Sequence, residues 1–237
     1  MPTTVQRRAH YDDFVTQVIR LCASNRIRAD LASGRGRPVA ECARMPEHLT
    51  RHVARFGARR AHYTVASLIA MQRDLPRQDG PYTPESAART GGRGTDGDSY
   101  TRPATTAATT GDPAPLPLPD APPDGAPETG GGAGAQPWRA RPDLGASLAV
   151  AVARHGFKES RMTDRVRTLT KLGTPLLHPR LWSLATHLHS RNAARLDFAV
   201  LLEDLAWWDD DQPETAARWR ESYFTALDAL TASPKED

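Results

Sequence analysis

The sequence predicts an all-α protein, two small helical-bundle domains joined by a long disordered linker, and three observations carry that prediction. Apolar residues recur at three- and four-residue steps through most of residues 1–78 and 138–237, the spacing that lines one face of a helix. No stretch alternates with the period of a strand, and no internal repeat competes. Between the two periodic parts, residues 79–137 are Gly, Pro, Thr, Ala and Asp with almost no large apolar side chain. Such a segment cannot bury enough surface to offset the entropy of ordering it.

Taken in order, Phe14, Val18, Leu21 and Cys22 predict one long first helix from Tyr11 to Leu31, stopped at Gly34. The loop Ser33-Gly34-Arg35-Gly36-Arg37-Pro38 follows, and its glycines let it approach another backbone closely. Pro38 suits the start of a short helix through Met45. Pro46 opens another with Leu49, Val53 and Phe56 inward and Gly57 as its stop. A fourth, Arg60 to Leu75, carries Tyr63, Ala66, Leu68 and Ile69 and meets Pro76. These make the N-terminal domain, residues 1–78.

Order is expected again from Trp138. Leu144, Leu148, Ala151 and Val152 predict a helix closed by Gly156, and Met162, Val166, Leu169 and Leu172 another closed by Gly173. Pro179 opens a third with Leu181, Leu184 and Leu188 inward. A helical hairpin ends the C-terminal domain. Its first arm places Phe198, Leu201, Leu202, Leu205 and Trp208 on one face under an Asp197 cap. Its second begins after Gln212 at Pro213 and continues through Trp219, Tyr223, Leu227 and Leu230. Each aromatic buries ~150–250 Å², so Trp208, Trp219 and Tyr223 anchor the core.

The 237 residues carry a net charge of +3, unevenly spread. Residues 1–78 hold 14 Arg against 6 acidic side chains, residues 79–137 hold 3 against 8, and residues 138–237 hold 14 basic against 14 acidic. The positive field is therefore N-terminal, and Arg supplies it, which suits bidentate phosphate contacts. Cys22 and Cys42 have no CxxC partner and read as reduced core thiols. The N-terminus has no apolar signal region and no stretch approaches the ~20 apolar residues of a membrane span, so a cytoplasmic location is expected.

No Walker loop, GxSxG, HExxH or Cys/His signature appears, and the expected protein is not an enzyme and uses no cofactor or metal. His187 and His189 diverge by roughly 200° on a helix and cannot share a metal. Asp209, Asp210 and Asp211 occupy a turn before a helix N-terminus, where they favour its dipole. The candidate functional residues are arginines without obvious acidic partners. Arg35 and Arg37 flank a glycine, so that side chains and amides could both reach phosphate. Lys158, Arg161 and Arg165 form a basic stripe opposite Met162, Val166 and Leu169. Arg20 and Arg28 add to the N-terminal field.

In the hairpin, the succession Leu196, Asp197-Phe198-Ala199, Leu201-Leu202, Leu205, Trp208-Asp209, Arg218-Trp219 and Tyr223-Phe224 resembles the C-terminal signature of CasB, the small subunit of the type I-E CRISPR Cascade complex. Leu31 to Pro38 is similar to the step that ends that family's first helix, with Ala32 and Ser33 where an arginine pair is expected. The family's basic outer-face positions on its penultimate helix are Val200 and Glu203 here, and the preceding helix has Trp182 and Thr186. The resemblance implies a two-domain helical subunit, present as a pair of copies against the backbone and large subunits of Cascade. It implies contacts with guide RNA and target DNA that stabilise their hybrid and the displaced strand without reading sequence. The rival readings are a structural protein-binding adaptor and a helical DNA-binding regulator, for which no recognition helix with base-reading side chains at its N-terminus is present.

Overall fold

A computed structural model of the chain describes residues 2–54, 56–72, 137–193 and 196–232. The expected linker, residues 79–137, lies outside the described residues except for Pro137. The described residues belong to one compact unit, formed by Met1–Tyr82 together with Gln136–Asp237. Among them the regular structure is helical, with no β-strand. The helices are α1 (Thr4–Leu21), α2 (Asn25–Ala32), α3 (Pro46–Val53), α4 (Arg59–Ala70), α5 (Leu144–His155), α6 (Glu159–Leu169), α7 (Thr174–Ser190), α8 (Phe198–Ala206) and α9 (Trp208–Ala232).

The N-terminal part differs from its sequence reading in four places. The helix from Pro46 ends at Val53 and leaves Phe56 half-buried rather than inward. The helix expected to reach Leu75 ends at Ala70. Two further expected helices do not form as read. The single helix expected from Tyr11 to Leu31 is two. A capping box between Thr3 and Gln6 starts α1 earlier, and Ser24 turns extended to restart the chain as α2. The break keeps Val18 and Cys22 on one side and Ile27 and Leu31 on the other inside the same core, all essentially buried. After Pro38 only a 3-10 turn forms, Val39–Glu41; the chain leaves helical geometry at Cys42 (φ −95°, ψ 60°), and Cys42 and Met45 are buried. Helix α3 starts at Pro46 as expected, with Leu49 and Val53 buried.

In the C-terminal part α7 begins at Thr174 and carries Pro179 inside it rather than at its start. Proline has no N–H, so the Pro175 carbonyl one turn earlier loses its helical partner. The Arg60 guanidinium donates to that carbonyl at 3.0 Å. Asp197 caps α8, accepting from the Ala199 and Val200 amides at 3.1 Å each. Helix α9 opens with a turn through Trp208, leaves helical geometry at Asp211, and runs regularly past Pro213.

Two helices explain how these parts meet. Every residue of α4 from Ala61 to Ala70 is buried, and six of the nine residues of α8 are buried. Helices buried to this extent need neighbours on several sides. Accordingly α4 packs on α1, α2, α3, α7 and α8, while α8 also packs on α1. The stretches expected as domains 1–78 and 138–237 thus share a core. Polar contacts fasten the same seam. Arg141 makes a two-pronged pair with Asp197, 2.7 Å on each prong, and reaches Asp12 of α1 at 2.8 Å. Arg8 of α1 donates to Glu203 of α8 at 3.1 Å.

The hairpin packs as its sequence suggests. Trp208 and Trp219 are buried with ring centroids 4.9 Å apart, and Trp208 Nε1 donates to the Leu172 carbonyl at 2.9 Å. Asp204, 2 % exposed, accepts from Trp219 Nε1 at 2.6 Å and from the Arg218 guanidinium. Helix α5 lies along α9, and Gly145 is what lets it: a Cβ there would sit 2.8 Å from the Trp219 carbonyl carbon.

Candidate nucleic-acid interface

The glycine loop between α2 and the 3-10 turn is folded onto α7. Gly36 is buried with φ +71°, and a Cβ on it would stand 2.6 Å from the His178 carbonyl carbon and 2.9 Å from the Pro179 nitrogen. The close backbone approach expected of this loop is therefore made to the protein's own helix. Its amides are largely spent within the protein too, on α4 and on the loop itself. The Arg35 N–H donates to Ser67 Oγ at 2.9 Å and the Arg37 N–H to the Gly34 carbonyl at 2.8 Å. What the loop offers outward is its side chains. Arg35, in the left-handed region at φ +48°, is exposed with its guanidinium 5.6 Å from the centre of the Trp182 ring. A guanidinium held over an aromatic face still presents its N–H edge. Arg37 is exposed beside it in sequence.

The remaining candidates separate. Lys158 and Arg161 are exposed and Arg165 is half-buried on α6, with Met162, Val166 and Leu169 inward as expected. The fold brings Arg191, the residue that follows α7, beside this stripe. Arg165 and Arg191 both lower the pKa of His187, after its partial burial. Arg191 also lies over the Phe157 ring at 5.3 Å, and that ring meets His187 edge-on at 5.2 Å. Arg191 carries no periodic signal, so the sequence could not single it out. Among the described residues, Arg35, Arg37, Lys158, Arg161 and Arg165 make no ion pair; on α6 the Asp164 carboxylate goes to Arg167, 3.9 Å away.

Arg28 has a different occupation. Its guanidinium donates to the Ala70 carbonyl at 2.9 Å and to the Gln72 carbonyl, satisfying the open end of α4. Arg20 stands exposed on α1 beside a groove shared with α3. The two positions where the family resemblance expects basic side chains on α8 are explained by packing. Val200 is buried and Glu203 is held by Arg8 and by Trp138 Nε1 at 2.5 Å.

Metal donors are not assembled among the described residues. No group of three His, Cys, Asp or Glu side chains is placed to hold a metal ion. Cys22 and Cys42 are free and buried, and burial pushes the Cys22 thiol up to about 12, the state of an inert core thiol. His178 is fully buried, with Nδ1 2.7 Å from Thr64 Oγ1; burial, with Arg60 nearby, lowers it to about 4. Among the described residues no helix is long and apolar enough to cross a membrane.

Fold and surface together define, among the described residues, a helical protein that presents several arginines and a lysine without carboxylate partners. Residues 27–224 match the family of CRISPR-associated protein Cse2, and the chain belongs to that family, the CasB family whose signature its hairpin resembles. Two solved chains are similar in fold. One, from a structure titled CRISPR RNA-guided surveillance complex, is 22% identical with a TM-score of 0.60, covering 95% of this chain and 97% of that one. The other, from a structure titled CRISPR RNA-guided surveillance complex, pre-nicking, has 22% identity and a TM-score of 0.60 over 94% and 97%. The comparison with curated proteins returned no match.

Proposed function

We propose that this chain is the non-catalytic small subunit of a type I-E CRISPR surveillance complex. In it the chain holds nucleic-acid backbone without reading sequence, stabilising the hybrid of guide RNA and target DNA and the displaced strand. It acts in the cytoplasm, as a pair of copies against the backbone and large subunits. The observation that carries this reading is the set of outward cations left without carboxylate partners among the described residues, Arg35 and Arg37 on the loop and Lys158, Arg161 and Arg165 on α6. Family membership and the titles of the similar structures support the setting.

The physical logic is one of balance. In RNA-guided recognition the hybrid formed is about as stable as the duplex it replaces, and protein contacts to the backbone tip the exchange. A subunit serving that step needs cations and a rigid frame. Arg20 belongs to the same field, whereas Arg28 serves the end of α4.

Reversing Arg35 with Arg37, and separately Arg161 with Arg165, to Glu tests the reading on the full chain. Each reversal should weaken binding to unrelated DNAs alike, because phosphate contacts carry no base information. The log–log salt slope should flatten by about 0.9 per lost phosphate on duplex and about 0.7 on single strands. Unchanged affinity and slope for both folded variants would replace this reading with that of a protein-binding adaptor.

A further inference from the structure

We propose that the groove between α1 and the end of α3 seats one unstacked base of a single-stranded nucleic acid, with the flanking phosphates on Arg20 and Arg51. The proposal rests on the nucleic-acid reading above and names the form of ligand that this part of the surface takes. The groove encloses about 520 Å³, within the range of ordinary small-ligand clefts.

Its lining includes an aromatic pair. The Phe56 and His10 rings are stacked with centroids 3.5 Å apart and planes 7° from parallel. His10 is fixed from behind. His62 Nδ1 lies 3.0 Å from the Ala58 carbonyl and must donate to it, so His62 Nε2 is the acceptor for His10 Nε2–H at 3.1 Å. Burial, with His52 nearby, lowers His10 to about 4, so at neutral pH it is an uncharged ring backing Phe56. Phe56 itself keeps part of its surface in solvent. Stacking on such a platform is indifferent to base identity, since every base has a π-face, and this agrees with a protein that leaves sequence to the guide.

The rim supplies what surrounds a base. Arg20 on α1 and Arg51 on α3 are exposed, line the groove, and make no ion pair among the described residues. Between Arg20 and the platform, Asp13 and Gln17 lie on the same face of α1; they suit the N–H and carbonyl groups of a base edge, and a carboxylate there favours a base over a phosphate. Paired bases in a duplex have no free face to offer, so the groove selects single strands.

The experiment measures binding of the full-length chain to labelled oligo-dT, oligo-rU and an oligo-dT of the same length made largely of abasic sites, across a salt series. Phe56→Leu should weaken oligo-dT roughly fivefold or more, the lower range for loss of one stacked base. It should leave the salt slope and the abasic strand unaffected, while Phe56→Trp, with melting checked for both variants, should bind as wild type or better. The double reversal Arg20→Glu with Arg51→Glu should flatten the single-strand slope by about 1.4, two phosphates at about 0.7 each. Equal losses on dT and rU identify a platform that takes either strand, and a loss on one alone names the strand. Phe56→Leu binding both oligo-dT and oligo-rU as wild type, or weakening abasic and base-bearing strands alike, overturns the proposal and leaves the backbone-binding reading intact. A wild-type chain that binds no nucleic acid overturns both.

Discussion

Gly36 lies against the main chain of His178, with no room between them for a side chain. A Cβ would meet the His178 carbonyl carbon at 2.6 Å, and the backbone stands at φ +71°, where L side chains are strained. Gly36→Ala should therefore cost about 3 kcal/mol, from strain and from separation of the loop from α7. Urea melts of the variant would check it. A cost near that of an ordinary surface change would mean the loop is not docked on α7.

The hairpin core should be sensitive to the indole of Trp219. Trp219→Ala removes a side chain 1 % exposed that packs on Trp208, and a loss of ~3–5 kcal/mol is expected. Trp219→Phe keeps most of the ring and deletes the N–H given to Asp204 at 2.6 Å. That variant should lose ~1–3 kcal/mol, the usual penalty for removing one partner of a buried polar group. Thermal melts of the pair separate packing from hydrogen bonding.

Arg141 should matter through one carboxylate more than the other. Its side chain pairs with Asp197, 16% exposed, and with Asp12, 50% exposed. In double-mutant cycles the Arg141–Asp197 coupling should reach ~1–3 kcal/mol, as for a half-buried two-pronged pair. The Arg141–Asp12 coupling should stay within the ~0.2–1 kcal/mol of exposed pairs. Comparable couplings would show that burial does not set the difference.

Acid should loosen the fold through histidines and be partly opposed by one aspartate. Burial lowers His10, His62 and His178 to about 4 from 6.5. Between those values the unfolded chain binds more protons than the folded one, so stability falls as pH drops from 6.5 towards 4. Asp204 works in the other direction. Burial, only partly offset by Arg218 and Trp219, raises it from 3.8 to about 6. The folded state then holds a proton the unfolded chain has released, and this contribution to stability falls as pH rises through the window. Asp204→Asn should thus steepen the loss of stability between pH 6 and 4, read from denaturant midpoints at several pH values. A parallel profile in the variant would refute the raised carboxylate.

The helices that carry one apolar stripe were legible from spacing alone. Met162, Val166 and Leu169 on α6 face inward and leave Lys158 and Arg161 exposed, because a 3.6-residue period sorts side chains before any partner is known. The Asp197 cap of α8 was legible for the same local reason: its carboxylate bonds amides two and three residues away. The family signature in the hairpin is likewise a set of near neighbours whose spacing survives in the chain.

Other features depend on residues far apart in sequence. Arg28 reads as one more surface cation until the end of α4 arrives 42 residues later to take its guanidinium. Glu203 reads as a departure from a basic helix until Arg8, 195 residues away, pairs with it. Gly36 reads as an opening for a ligand until α7 fills it. The chain by itself determined which residues form helices and which faces are apolar, since those are set by contacts within about a turn. Only the tertiary structure decided which arginines are spent on carbonyls and carboxylates and which stay outward. The energy of a charge is fixed by what surrounds it in space, and sequence spacing does not encode that.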